Sequence, residues 1–151
     1  MKKYLLILVG LSACAFSTPK ESYCYSNVGM RVPTMVPAVG YGYRLVESDL
    51  QIYDFNVNAG TNLKYSFISA EAKAMYYIAD SYISGGVKSE FDYTYFNRRA
   101  MAHKTFLSPV ISVGTEVGNK FHQINIMPIS VDLDCDVYKV PTVSYQFGMK
   151  F

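Results

Sequence analysis

The chain closes with VPTVSYQFGMKF, residues 140–151, and the spacing within that stretch decides the fold. Val143, Tyr145, Phe147, Met149 and Phe151 fall on one parity, and Thr142, Ser144, Gln146, Gly148 and Lys150 on the other. Strict alternation of this kind is the signature of a β-strand with one apolar and one polar face. Free termini usually fray and carry polar residues. An apolar stripe that runs to the last residue therefore requires the final strand to be paired and its apolar face to be covered.

The same period of two recurs toward the amino terminus. In VGYGYRL (39–45) the residues Val39, Tyr41, Tyr43 and Leu45 oppose Gly40, Gly42 and Arg44. In YDFNVNA (53–59) Tyr53, Phe55, Val57 and Ala59 oppose Asp54, Asn56 and Asn58. LKYSF (63–67) sets Leu63, Tyr65 and Phe67 against Lys64 and Ser66, and EFDYTYF (90–96) sets Phe91, Tyr93 and Tyr95 against Glu90, Asp92 and Thr94. LSPVISVGTEV (107–117) follows the rule except at Val110. In KFHQINIMPISVDL (120–133) the parity switches from Ile124 and Ile126 to Ile129, Val131 and Leu133, with Pro128 at the change, where a β-bulge would reset the register. Turn residues at 59–62, 84–86 and 118–119 punctuate the runs.

Counting from the carboxyl end places eight strands near 141–151, 120–132, 106–117, 89–97, 72–83, 62–69, 50–59 and 35–45. SFISAEAKAMYY (66–77) has no turn residue. It reads as a hairpin bending at Ala70-Glu71, as one long strand with residues 22–30 supplying the missing one, or as an amphipathic helix over 69–83.

A soluble sandwich or lipocalin turns the apolar parity inward, whereas a membrane barrel turns it to lipid. Here the polar parity carries small or charged residues suited to a narrow lumen, and Arg44, Asp54, Lys64, Lys73, Glu90, Asp92 and Glu116 are expected to form a charged network there. The other parity is rich in Tyr and Phe, 14 and 9 residues in the chain, as aromatic girdles at two membrane interfaces require. Half of the residues are hydrophobic and 17% charged. Mean hydropathy is nevertheless only +0.09, as interleaving demands. The fold class is all-β, a closed antiparallel up-and-down transmembrane β-barrel of eight strands.

The start, MKKYLLILVGLSACAFS, has two lysines, an apolar run from Tyr4 to Leu11 and then small residues, the layout of a bacterial export signal. The run is shorter than the ~20 residues of a helical span. Residues 1–15 are read as the signal, 16–34 as a periplasmic segment or the first strand, and 35–151 as the barrel. Ala13-Cys14-Ala15 suits ordinary cleavage, while Leu11 to Cys14 also resembles a lipobox, which would make Cys14 a lipid attachment point. Removing Lys2 and Lys3 from the 14 basic residues leaves 12, equal to the 12 acidic ones, a balance that gives no basis for nucleic-acid binding.

With the export signal and the alternating runs, the tail Val143, Tyr145, Phe147, Met149 and Phe151 resembles the C-terminal assembly signal of Gram-negative outer-membrane β-barrel proteins. By length the chain is similar to the small eight-stranded OmpX-like and OmpA-domain-like class. The resemblance implies residence in the bacterial outer membrane, contact with its lipid and lipopolysaccharide, and recognition of the last strand by the barrel-assembly machinery.

Function is less legible. A small barrel with a filled lumen implies a structural or surface-interaction role. The alternatives are a narrow ion-conducting pore, a lipid-anchored periplasmic β-protein and, more remotely, a lipid-modifying outer-membrane enzyme. For the enzyme, His103 two residues before Thr105 only faintly resembles the His-x-Ser pair of lipid A deacylases, in a stretch that reads as a loop, so no catalytic residue is assigned. NRRAMAHK (97–104) offers Arg98 and Arg99 to lipopolysaccharide phosphates. DLDCDVYK (132–139) offers Asp132, Asp134 and Asp136 to bridging cations, but it lacks the Gly and closing Glu of a calcium loop. No cofactor, intrinsic metal site or specific protein partner is read from the sequence.

Overall fold

Alternating side chains commit each run to a strand, and the turns between them decide which strands pair. A computed structural model describes residues 21–48, 51–96, 100–133, 137–138 and 141–151, with side chains described except at 94–96, 100–103 and 137–138. The strands are β1 (Tyr23–Val32), β2 (Val36–Ser48), β3 (Gln51–Thr61), β4 (Tyr65–Ile78), β5 (Ser81–Phe96), β6 (Ala100–Val117), β7 (Lys120–Met127), β8 (Ser130–Asp132), β9 (Val137–Tyr138) and β10 (Thr142–Lys150). Each pairs antiparallel with its neighbour, and β10 closes the sheet on β1 from Tyr25–Lys150 to Val32–Val143. β8 continues the wall strand begun by β7 and pairs with β6 through Leu107–Val131, so eight strands form the wall. β9 forms a short hairpin with β8.

Following the paired residues once around the wall, Arg31–Ser144–Asn125–Ser112–Ser84–Met75–Ile52–Val46, returns to β1 at the level of Glu21, ten positions earlier. For eight strands that stagger tilts each strand roughly 40° from the barrel axis.

Residues 66–77 lie in one uninterrupted strand, β4, and β1 supplies the remaining strand, so neither the bend at Ala70-Glu71 nor a helix is present. The actual turn is Ala79-Asp80, with Ala79 at φ 57°, a left-handed position held without the usual glycine or asparagine. Gly85 and Gly86, expected in a turn, sit inside β5 opposite Ala74 and Lys73. A Cβ on Gly86 would stand 2.0 Å from the Ala72 carbonyl oxygen, so close strand approach is what requires glycine there. The parity switch at Pro128 is present: Ile124 and Ile126 face outward before it, and Ile129, Val131 and Leu133 after it.

The faces are inverted relative to a water-soluble barrel. Val39, Tyr41, Phe55, Val57, Ile68, Ile83, Val87, Ile111 and Ile124 point outward and are exposed, while Arg44, Asp54, Glu71, Lys73, Gln123 and Asn125 are buried inside. A continuous apolar exterior of this extent is covered only by lipid. Ring closure satisfies the backbone groups that an open sheet would leave bare in that medium. No helix of the described residues is long and apolar enough to cross a membrane.

Candidate functional site

The interior is built from i, i+2 positions on neighbouring strands, which bring side chains of opposite charge into contact. At the end of the barrel where β1 begins and β10 ends (the terminus end), Lys150 on β10 meets Glu116 on β6, and Glu116 also meets the Arg44 guanidinium on β2. Arg44 faces Asp54 on β3 at 3.8 Å, and Asp54 lies 3.2 Å from Lys73 on β4. Lys73 bonds Glu71 at 3.0 Å, and Glu71 lies 3.7 Å from Lys88 on β5. Lys88 reaches Glu90 at 2.7 Å. Arg31, from β1 on the opposite wall, reaches Glu90 at 2.5 Å and Asp92 at 3.5 Å. The result is a ladder of alternating sign that runs from the terminus end to the loop end.

Two links cross the lumen. Arg44–Glu116 joins β2 to β6 and Arg31–Glu90 joins β1 to β5, in each case walls four strands apart. Arg44 is the hub: fully buried, it donates to Tyr23 Oη at 2.8 Å, Tyr77 Oη at 3.1 Å, Tyr82 Oη at 3.0 Å and the Glu116 carboxylate. Tyr25 Oη donates to Asp54 at 2.5 Å. A buried charge is tolerable only when paired and hydrogen-bonded, and this hub meets both conditions.

The remaining wall is neutral. Tyr82 donates to Gln123 Oε1 at 2.8 Å, Gln123 Nε2 donates to Asn125 Oδ1 at 2.5 Å and to Gln146 Oε1 at 3.2 Å, and Asn125 Nδ2 donates to Ser144 Oγ at 3.2 Å. Aromatic rings fill what is left by lying over glycines. A Cβ on Gly42 would meet the Tyr25 ring at 2.2 Å, and one on Gly148 the Phe121 ring at 2.1 Å. The Tyr25 and Phe121 rings themselves meet edge-on at 4.9 Å between centroids.

Of the residues expected in the lumen, Arg44, Asp54, Lys73, Glu90, Asp92 and Glu116 lie within this ladder. Lys64 does not: it lies in the β3–β4 connection, exposed, with its backbone N–H bonded to Asn62 Oδ1. The parity assigned to that run is reversed, because Phe67 points inward while Ile68 points out. Sequence reasoning did not assign Arg31, Glu71, Lys88 or Lys150 to the lumen, nor Tyr23, Tyr25, Tyr77 and Tyr82, all four of which face it. The signal for the tyrosines was available: each shares parity with a charged inward neighbour, as Tyr77 does with Lys73.

Asp132, expected on the surface, is buried and pairs with Lys104 at 3.1 Å, so the two loops read as separate contacts meet each other. Arg98, Arg99, Asp134, Asp136 and Cys14 lie outside the described residues. His103 and Thr105 lie in β6 and not in a loop. Val143, Tyr145, Phe147, Met149 and Phe151 all share the outward parity of β10, and the Phe151 N–H bonds the Cys24 carbonyl at 3.1 Å, which extends the closing seam to the last residue.

No protein-family model and no curated protein sequence matches the chain. Among solved structures, the N-terminal β-barrel domain of Pseudomonas aeruginosa OprF is similar with a TM-score of 0.59 at 11% identity, over 87% of this chain and 98% of that one. Neisserial surface protein A is similar at 0.45 and 13% identity, over 86% and 96% of the two chains. A de novo designed transmembrane β-barrel scores 0.46 at 15%, over 91% and 100%. The fold is that of the eight-stranded outer-membrane barrels.

Proposed function

We propose that this protein is a small integral barrel of the bacterial outer membrane with a structural or surface-interaction role, its lumen sealed by the charged ladder. The observation that carries the reading is the pair of cross-lumen links, Arg44–Glu116 and Arg31–Glu90, inside a wall whose exterior is apolar. An eight-stranded barrel has an interior just wide enough for side chains, and the links occupy it. Residues 1–15 act as the export signal, and β10, with Phe151, Met149, Phe147, Tyr145 and Val143, is the strand recognised by the assembly machinery. Arg98 and Arg99, which follow β5 in the sequence, contact lipopolysaccharide phosphates.

Membrane fractionation with an unboiled gel tests the placement. The protein is expected to resist carbonate extraction and to change mobility on heating, and release into the soluble fraction would contradict it. Deleting Phe151 is expected to leave a protease-sensitive precursor; normal yield of heat-modifiable protein would remove the assembly role. Intact mass decides acylation at Cys14, which adds several hundred daltons, roughly two or three fatty chains.

A further inference from the structure

The outer wall changes character at the terminus end. Between Thr105 and Thr115 the outward residues of β6 are Leu107, Pro109, Ile111 and Val113. That stretch of strand, tilted roughly 40°, rises about 26 Å, which matches the ~25 Å apolar band of a membrane barrel. Thr115 therefore sits at one boundary of the lipid core. Two-residue turns join β4 to β5 and β6 to β7 at this end, and short turns mark the periplasmic side.

At that boundary three polar side chains lie side by side on the lipid-facing parity. Ser81 on β5 pairs with Thr115, and Thr115 pairs with His122 on β7. One step toward the membrane centre the same strands present Ile83, Val113 and Ile124, again in register. One step the other way β7 presents Lys120, outward and exposed. Ser81 and Thr115 are short, whereas Ile78 and His122 on either side of them are long, so the wall is hollow between. The hollow is a groove of about 440 Å³, polar along Ser81, Thr115 and His122 and apolar along Ile83, Val113 and Ile124.

His122 is held in place. Its Nδ1 lies 2.6 Å from Tyr145 Oη, and its ring packs on Phe147 at 5.0 Å between centroids. With the Tyr145 hydroxyl donating to Nδ1, the ring proton stands on Nε2, the far corner of the imidazole, as a donor. Asp80, in the turn before Ser81, lies at the β5 end of the row, two strands from Lys120. An anion is therefore favoured on the β7 side.

We propose that this groove holds one glycerophospholipid of the periplasmic leaflet. Its phosphodiester lies between Lys120 and His122, its glycerol esters at Thr115 and Ser81, and one acyl chain along Ile83, Val113 and Ile124. Each level matches one part of that molecule: a cation with a fixed N–H donor for the phosphate, hydroxyls for the esters, and aliphatic side chains for the chain. The inference rests on the outer-membrane placement and is independent of whether the lumen is sealed.

Native mass spectrometry of the folded full chain in detergent, titrated with palmitoyl-oleoyl phosphatidylglycerol, tests it. The comparison lipid is the diacylglycerol with the same chains and no phosphate. One retained phospholipid is expected, with the diacylglycerol bound about tenfold more weakly. Lys120→Ala and His122→Phe should each weaken the phospholipid about tenfold and leave the diacylglycerol unchanged. Val113→Trp, which fills the groove, should weaken both. Each variant is compared as a barrel with heat-shifted mobility. Equal binding of the two lipids by the unchanged protein, or phospholipid binding untouched by Lys120→Ala and His122→Phe, would overturn the site and leave the membrane placement standing. Release of the unchanged protein by carbonate would remove the placement and the site with it.

Discussion

The two sides of the lumen solve one problem by different means. Strands β1 to β5 line it with Arg31, Arg44, Asp54, Glu71, Lys73, Lys88, Glu90 and Asp92. Strands β6 to β10 line it chiefly with Ser, Asn and Gln, and among the described side chains their inward charges are Glu116 and Lys150 at the terminus end and the pair Lys104–Asp132 at the loop end. On the charged side every member depends on its neighbours, because a lone buried charge has no solvent to fall back on. On the neutral side a lost partner strands a dipole, which is less costly. The difference teaches that cost in this lumen follows the charge left behind more than the number of bonds removed.

Four substitutions break or sharpen that contrast. Arg44→Met leaves Glu116 and Asp54 short of a cation and should destabilise the barrel by ~3–5 kcal/mol, read from denaturant unfolding in micelles. Because the ladder is shielded from solvent, that loss should change little with added salt. Val57→Arg places an unpaired charge on the lipid face, where Val57 is exposed in mid-strand. It should cost ~2–4 kcal/mol in bilayers, which would show that charge is tolerated in this wall only where it is matched. Gln123→Leu removes bonds to Tyr82, Asn125 and Gln146 and a long one, 3.5 Å, from Arg44, which keeps its carboxylate and tyrosine partners, so no charge is stranded; the expected loss is ~1–3 kcal/mol. Lys64→Ala, in an exposed connection, should fall within ~0.5 kcal/mol of the unchanged protein. A larger loss there would return Lys64 to the lumen.

Much of the wall was legible because lipid imposes a simple rule on parity. Residues 39–45 of β2, 53–59 of β3 and β10 follow it residue by residue, whereas Val36, Val46 and Ile52 turn inward, and Pro128 announces the register change it causes. β1 was harder because Tyr23 and Tyr25 are amphipathic, and a tyrosine suits either an interface or a hydrogen-bonded lumen. β4 was harder still. Its outward residues Ala70, Ala72 and Ala74 carry little apolar signal and favour helix, and its turn rests on Ala79 in place of a glycine. The ladder as a whole was not legible, since Arg31 meets Glu90 across the lumen and Lys88 meets Glu71 between strands. Such contacts depend on register and stagger, which a single sequence does not state.

The central claim is that the ladder closes the lumen, and single-channel recording on the purified full chain in planar bilayers tests it most directly. The account predicts no stable conductance from the unchanged protein across the range of salt and voltage used for porins. Steady, ion-selective steps from a barrel shown by its heat-shifted mobility to be folded would contradict it and make the narrow pore the correct reading.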